Sequence, residues 1–448
     1  MGKASAYLYD LIHASRSRVS RDTVIMFIGN FVNALLVFGF SVLVSRNMSV
    51  ENFGIYSFAT AILVVVVELS DSGLTTTVIR FASQHLTEGR ERLAKAIFYV
   101  SLRYRVLSSA LLCTAGFLLS NWVVDFIFNK PAVAAPFRLA LIAVFLINIQ
   151  NFISSVLLSY RRFAIKVSYN IFISAMKILL LLGFVYVLRH ELTPNPAVSI
   201  LVIATVFGLM FGAFIVPSFP IRRPVNIEEY RAVQRETFHF SKWITVSLAA
   251  SMIFMRLDTF FLTRMTTLDD VGLYNAAMNF ANFFNISSTA VTSTFLPHLS
   301  RYTGERLKRF YATILKFFPL VVVSIIILVF FSPFLINLMF GHRYENASPI
   351  LRVLFIASGM NMLVNPLIVV LYRLKRVRAI AFMNITQLLF CIGLNLIFIP
   401  SFGSIGAAWT KVALNILAIA WVMIVSQRYF SKIVPEAITE EPPVDPVE

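Results

Sequence analysis

Charge is what this sequence has least of. Only 14% of its 448 residues are charged and 58% are hydrophobic, 43 of them Phe. An ordinary soluble domain carries about 25% charged residues. A chain so poor in charge cannot furnish a soluble surface. Cysteine is nearly missing too: Cys113 and Cys391 both sit in apolar runs. That excludes a disulfide scaffold, and no metal-ligand spacing occurs. No GxxxxGK[ST] loop and no large polar segment is present, which leaves no place for ATP hydrolysis. No Ser/His/Asp constellation stands out, so neither an enzyme activity nor a cofactor is expected. The alternation over about ten residues that marks a membrane β-barrel strand is also absent.

What the sequence does hold is long apolar runs and a mean hydropathy of +0.79. In lipid every backbone polar group needs an internal partner. Runs of roughly 20 apolar residues satisfy this as helices that cross a ~30 Å hydrocarbon core. The chain reads as an all-α polytopic membrane protein with twelve spans, at 23–45, 53–82, 96–120, 137–159, 167–188, 198–217, 241–262, 271–296, 312–333, 350–372, 379–399 and 405–426. An even number of spans puts both termini on one side. The net charge of +17 would suit nucleic acid were it gathered on a soluble face, but its distribution says otherwise. Of the 39 Lys and Arg, 26 fall in segments on the side of the termini and five in the opposite loops. By the positive-inside rule both termini are cytoplasmic, in an inner or plasma membrane. Most of the excess charge is then topology and contact with anionic lipid, with no nucleic acid as partner. Residues 1–22 read as an amphipathic cytoplasmic segment and 428–448, acidic and Pro-rich, as a disordered tail.

One turn is written twice. VSRNMSVENFGIYSFA at 44–59 returns as LTRMTTLDDVGLYNAA at 262–277, 218 residues later and without a gap. Arg46/Arg264, Gly54/Gly272, Tyr56/Tyr274 and Ala59/Ala277 are identical. Weaker echoes pair TEGRERLAK (87–95) with TGERLKR (303–309) and PFRLAL (136–141) with PILRVL (349–354). The expectation is a parallel repeat of two six-helix lobes, 23–217 and 241–427, joined by an amphipathic cytoplasmic helix at 218–240. In this reading Gly54 and Gly272 permit the sharp turn between the first two spans of each lobe. Tyr56 and Tyr274 anchor that turn at the membrane interface. Two lobes with a site between them suit alternating access.

At these motifs the chain resembles a known family. VSRNMSVENFGIYSFATAI with ELSDSGLTTTVIRFAS (68–83), and RLDTFFLTRMTTLDDVGLYNAA (256–277), are similar to the signatures of polysaccharide transporters of the Wzx-type O-antigen flippase group. That group lies within the multidrug/oligosaccharidyl-lipid/polysaccharide exporter superfamily. The resemblance implies a V-shaped bundle that moves polyprenyl-pyrophosphate-linked oligosaccharide from the cytoplasmic to the external leaflet. It implies that glycan lipid and membrane lipids as partners, with polysaccharide polymerase and chain-length proteins among the neighbours it would meet.

Ionisable residues inside spans are costly and turn toward the bundle interior or water. Glu68, Asp71 and Thr75, at i, i+3 and i+7, share one face if span two is one helix. Asp71, Glu68 and Asp258 are the candidates for ion coupling. Basic residues outnumber acids within the spans, eight to three. Such an interior suits a diphosphate, because Lys and Arg neutralise and hydrogen-bond phosphate oxygens. Lys177, Arg256, Lys411, Arg103 and Arg80 are the candidates for that contact. Arg103 and Arg105 stand close enough to the cytoplasmic end to snorkel. Arg138 and Arg352 occupy equivalent places at the starts of spans four and ten, and there suit a headgroup or helix-orienting role. Asn275, Asn279, Asn282 and Asn285 form a polar stripe on span eight, fit either for sugar hydroxyls or for helix–helix bonds. Two rival functions follow from the same features. A multidrug/toxin extruder would prefer an acidic cavity for its cationic drugs. A membrane-embedded glycosyltransferase or ligase would need clustered carboxylates and a large external loop.

Overall fold

A computed structural model of the chain describes residues 18–188, 191–216, 227–299, 318–373 and 377–430. Among these, all regular structure is helical. The α-helices are α1 Arg18–Arg46, α2 Val50–Asp71, α3 Leu74–Thr87, α4 Glu91–Trp122, α5 Ala134–Ser159, α6 Phe163–Leu182 and α7 Pro194–Ile215 in the first half. The second half holds α8 Ile227–Met265, α9 Leu268–Leu299, α10 Phe318–Phe340, α11 Ser348–Arg373 and α12 Val377–Phe430. Nine stretches among the described residues are long and apolar enough to cross a membrane. One of them, Phe382–Gln427, spans 46 residues within α12. It is a hairpin of two helices. Gly403 breaks the helix with φ 58° and ψ −136°, a conformation open to glycine. The arms then run back along each other: Trp421 donates to the Ala379 carbonyl at 3.1 Å and Gln387 to the Leu414 carbonyl at 3.2 Å.

The second expected span is broken as well. Ser72 (φ 51°) and Gly73 (φ 63°) are left-handed and separate α2 from α3. The continuous helical face on which Glu68, Asp71 and Thr75 were to align therefore does not exist. A different device joins Asp71 and Thr75. The Asp71 carboxylate accepts from the Thr75 amide at 3.1 Å and from its hydroxyl at 2.9 Å, satisfying free donors in the first turn of α3. The helix expected along 218–240 also differs. From Ile227 it runs without interruption into span seven as α8, 39 residues long.

We call the end bearing the loops rich in Lys and Arg the basic end, and the other the far end. Near the far end one large core joins the two halves, packing Val44, Met48 and Phe53 with Leu262, Val271, Tyr274, Phe340 and Tyr344, and a smaller one packs Ile55 and Phe58 with Leu268. Toward the basic end the cores divide. One, with Phe98, Phe152 and Tyr169, belongs to the first half, and another, with Leu367, Met383 and Val422, to the second. The outward faces carry large apolar side chains, Phe214 at 85% and Phe330 at 78% exposure, as a lipid-facing surface requires.

The repeated turn sits where the halves meet. A Cβ on Gly54 would lie 1.9 Å from the Leu268 carbonyl oxygen, and one on Gly272 would lie 2.2 Å from that of Val50. The two contacts are reciprocal, since Val50 and Leu268 are themselves matched positions of the repeat. Both glycines lie inside helices α2 and α9, not in the turn, and serve close backbone approach. Tyr56 and Tyr274 are 8% and 1% exposed, so neither is an interfacial anchor. Arg46 reaches across to the end of α10, donating to the Met339 carbonyl at 2.7 Å and to that of Leu338. A cation at a helix C-terminus is favoured by the dipole. A second matched contact lies within each half. Arg138 donates to the Ser120 hydroxyl at 2.8 Å and Arg352 to that of Ser332 at 3.2 Å.

Candidate functional site

A cavity of ≈ 550 Å³ opens among α1, α2, α3, α5 and α6, with Leu248 of α8 completing the wall. Its lining is hydrophilic. The α5 face brings Gln150, Asn151, Ser154 and Ser155, and α6 brings Lys166, Asn170, Ser174 and Lys177. The α6 positions recur at steps of four, four and three, which keeps them on one side of the helix. Asn33 of α1 accepts from the Ser174 hydroxyl at 2.7 Å, tying α1 to α6 across the cavity. Glu68, Asp71, Thr75 and Thr76 line the wall at the α2–α3 break.

Two buried ion pairs flank the interior, one in each half. Asp71 meets Arg105 at 2.6 Å, their side chains 6% and 0% exposed. Arg105 also donates to the Thr75 hydroxyl at 2.8 Å and to the Asn148 carbonyl at 3.4 Å. It does not snorkel. The carboxylate at the helix break draws it inward, because a fully buried guanidinium needs an anion and filled hydrogen bonds. In the second half Asp258 meets Lys411 at 2.5 Å. Tyr274 donates to the same carboxylate at 3.0 Å and Asn395 at 3.1 Å. The Lys411 ammonium also stands 5.4 Å from the centre of the Phe254 ring.

A sequence model described as polysaccharide biosynthesis protein matches residues 19–303, well over half of the chain. The chain belongs to that family. Its relatives include an uncharacterized membrane protein of Methanocaldococcus jannaschii, 24% identical over 371 residues that cover 76% of this chain and 70% of that protein. Among solved structures it resembles an inward-facing multidrug resistance MATE family transporter of the MOP superfamily, with a TM-score of 0.70 at 14% identity over 90% of this chain and 96% of that one. The inward closed form of the lipid II flippase MurJ gives a TM-score of 0.70 at 14% identity, over 90% of this chain and 87% of MurJ. A MOP superfamily transporter from Pyrococcus furiosus, described as having a binding pocket of reverse polarity, gives 0.60 at 13% identity over 92% and 96%. These likenesses establish the fold of this polysaccharide biosynthesis family member as that of the MOP transporters.

Within that fold the expected site residues part company. Lys177, Glu68 and Asp71 share the cavity. Lys411 and Asp258 face each other in the second half, away from it. Arg256, two residues from Asp258, is half-buried and does not line the cavity. Arg103 and Arg80 are exposed, Arg80 against the Phe81 ring, and neither lines the cavity. Of the Asn stripe, Asn275 accepts from the Thr259 hydroxyl at 3.3 Å and Asn279 donates to the Ser41 hydroxyl at 2.8 Å, the latter a bond between the halves. Asn282 is half-buried, and the side chain of Asn285 lies outside the described residues. Sequence reading missed Lys166, counting it with the basic loop at 160–166, and missed Asn395 and Arg105 as ion-pair groups. The signal for Lys166 was its eleven-residue spacing from Lys177, which returns to the same helix face. Asn395 gave no local signal, because its partner Asp258 is 137 residues away.

Proposed function

We propose that this protein is a flippase for polyprenyl-pyrophosphate-linked oligosaccharide, moving it from the cytoplasmic to the external leaflet by alternating access. The observation that carries the proposal is the cavity itself. It is lined by amides, hydroxyls, two lysines and the carboxylates of Glu68 and Asp71, and neither lysine forms an ion pair among the described residues. Amides and hydroxyls match sugar hydroxyls, and an ammonium that no carboxylate of the chain neutralises can receive a phosphate or carboxylate from the substrate. The basic end is the cytoplasmic end in this reading, and the joined core at the far end closes the external side. The prenyl chain stays in lipid while the headgroup enters. Asp71 and Asp258 are committed to ion pairs, so ion coupling falls to Glu68, the cavity carboxylate outside them.

Mass spectrometry of lipid extracts from cells lacking this chain tests the proposal. One polyprenyl-pyrophosphate oligosaccharide should accumulate while the matching surface polymer is lost. Glu68 in the cavity and the likeness to a multidrug transporter favour one rival, extrusion of cationic drugs. An unchanged lipid pool with altered sensitivity to such drugs would replace the flippase reading with that one.

A further inference from the structure

We infer that the cavity reads two separate anionic groups on one substrate: the lipid diphosphate at Lys166 and an acidic sugar at Lys177. This rests on the flippase reading and narrows its substrate class to acidic oligosaccharides. Both lysines line the cavity from α6, eleven positions apart. Eleven residues turn the helix through three turns and about 20°, so both ammonium groups leave the same face, and the rise is about 16 Å. That rise far exceeds the length of a diphosphate, so with both side chains extended from the helix each meets a different part of the substrate.

The contrast with the other buried cations carries weight. Arg105 is neutralised by Asp71 and Lys411 by Asp258. Lys166 and Lys177 have no such carboxylate among the described residues, and Glu68 forms an ion pair with neither. Between them α6 presents Asn170 and Ser174, and α5 adds Gln150 and Asn151 to the same cavity. That stretch fits sugar rings, whose hydroxyls exchange hydrogen bonds with amides and hydroxyls. Lys166 lies in the first turn of α6 at the basic end, level with the headgroup of a lipid whose prenyl chain is still in the leaflet. Lys177 then meets a carboxylate carried two or three rings further along the glycan.

The test uses proteoliposomes of the full chain and two synthetic polyprenyl-diphosphate trisaccharides that differ only in the terminal sugar, glucuronic acid in one and glucose in the other. At sub-saturating concentration the acidic probe should be translocated about tenfold faster, as one charge-assisted contact allows. Lys177→Gln should erase most of that preference and Lys177→Arg should keep it. Lys166→Gln should slow both probes by the same factor. Equal rates for the two probes in the wild type would overturn the inference, and this arm needs no variant to fold. So would a Lys177→Gln protein that slows both probes alike. Translocation of neither probe by the folded wild type would instead sink the flippase reading.

Discussion

A methyl group added to Gly54 or Gly272 tests whether the crossing of α2 and α9 holds the far end shut. An alanine Cβ would sit 1.9 Å from the Leu268 carbonyl oxygen at position 54, or 2.2 Å from that of Val50 at position 272, where ordinary contact begins at 3.4 Å. The helices must therefore part by about 1.5 Å or 1.2 Å, and since the opposing atoms are backbone no rotamer change relieves them. Overpacking of this kind costs about 1–3 kcal/mol. At about 1.4 kcal/mol per tenfold, that shifts the closed–open equilibrium about 5- to 140-fold toward open. The better helix propensity of Ala, about 1 kcal/mol, is shared by both forms and cancels. Ser45 reports on the state, because it is 0% exposed and its carbonyl accepts from Tyr344 at 3.1 Å. With Cys113 and Cys391 replaced by Ser, Ser45→Cys gives a single thiol for an impermeant maleimide. Labelling should be at least about fivefold faster in either glycine variant, in keeping with the lower bound of that shift. A lower melting temperature with unchanged labelling would refute the gating role and leave the glycines as packing alone.

Three further outcomes follow from the pairs and bonds described above. Arg105→Gln strands the buried Asp71 carboxylate and should lower stability by about 3–5 kcal/mol, while Asp71→Asn combined with it should recover most of the loss; thermal melts in detergent decide. Lys411→Met should do the same to Asp258 in the second half, again relieved by Asp258→Asn, and if the single and double variants melt alike the pair is not the stabilising unit. Asn279→Ala removes a bond between the halves, and in a double-mutant cycle with Ser41→Ala the coupling should be about 0.6 kcal/mol; a value near zero would mean the bond is replaced by water.

The α2–α3 break shows where sequence reading of this chain stops. Apolar run length placed a span at 53–82, and Asp71 stood out because an acid in a membrane span is costly. Ser72 is not a residue that announces a left-handed turn, and without the break the three polar groups were aligned by helical periodicity. The glycines of the repeated turn were legible as special, but for the wrong reason. A glycine needed for positive φ and one needed for close approach look the same in one strand of sequence. The Asn stripe carried the same ambiguity, and Asn275 and Asn279 proved to bond to Thr259 and Ser41.

Composition and periodicity alone determined that this chain is a helical membrane protein, that its Lys and Arg favour one side, and that its halves share a motif. These are properties of runs and spacings, because burial in lipid acts on each segment separately. Which cations remain unpaired was decided only by tertiary structure. Arg105 and Lys411 find carboxylates 34 and 153 positions away, whereas Lys166 and Lys177 find none among the described residues. Charge inside a membrane is governed by what stands within a few ångströms, and packing, not sequence distance, sets those neighbours.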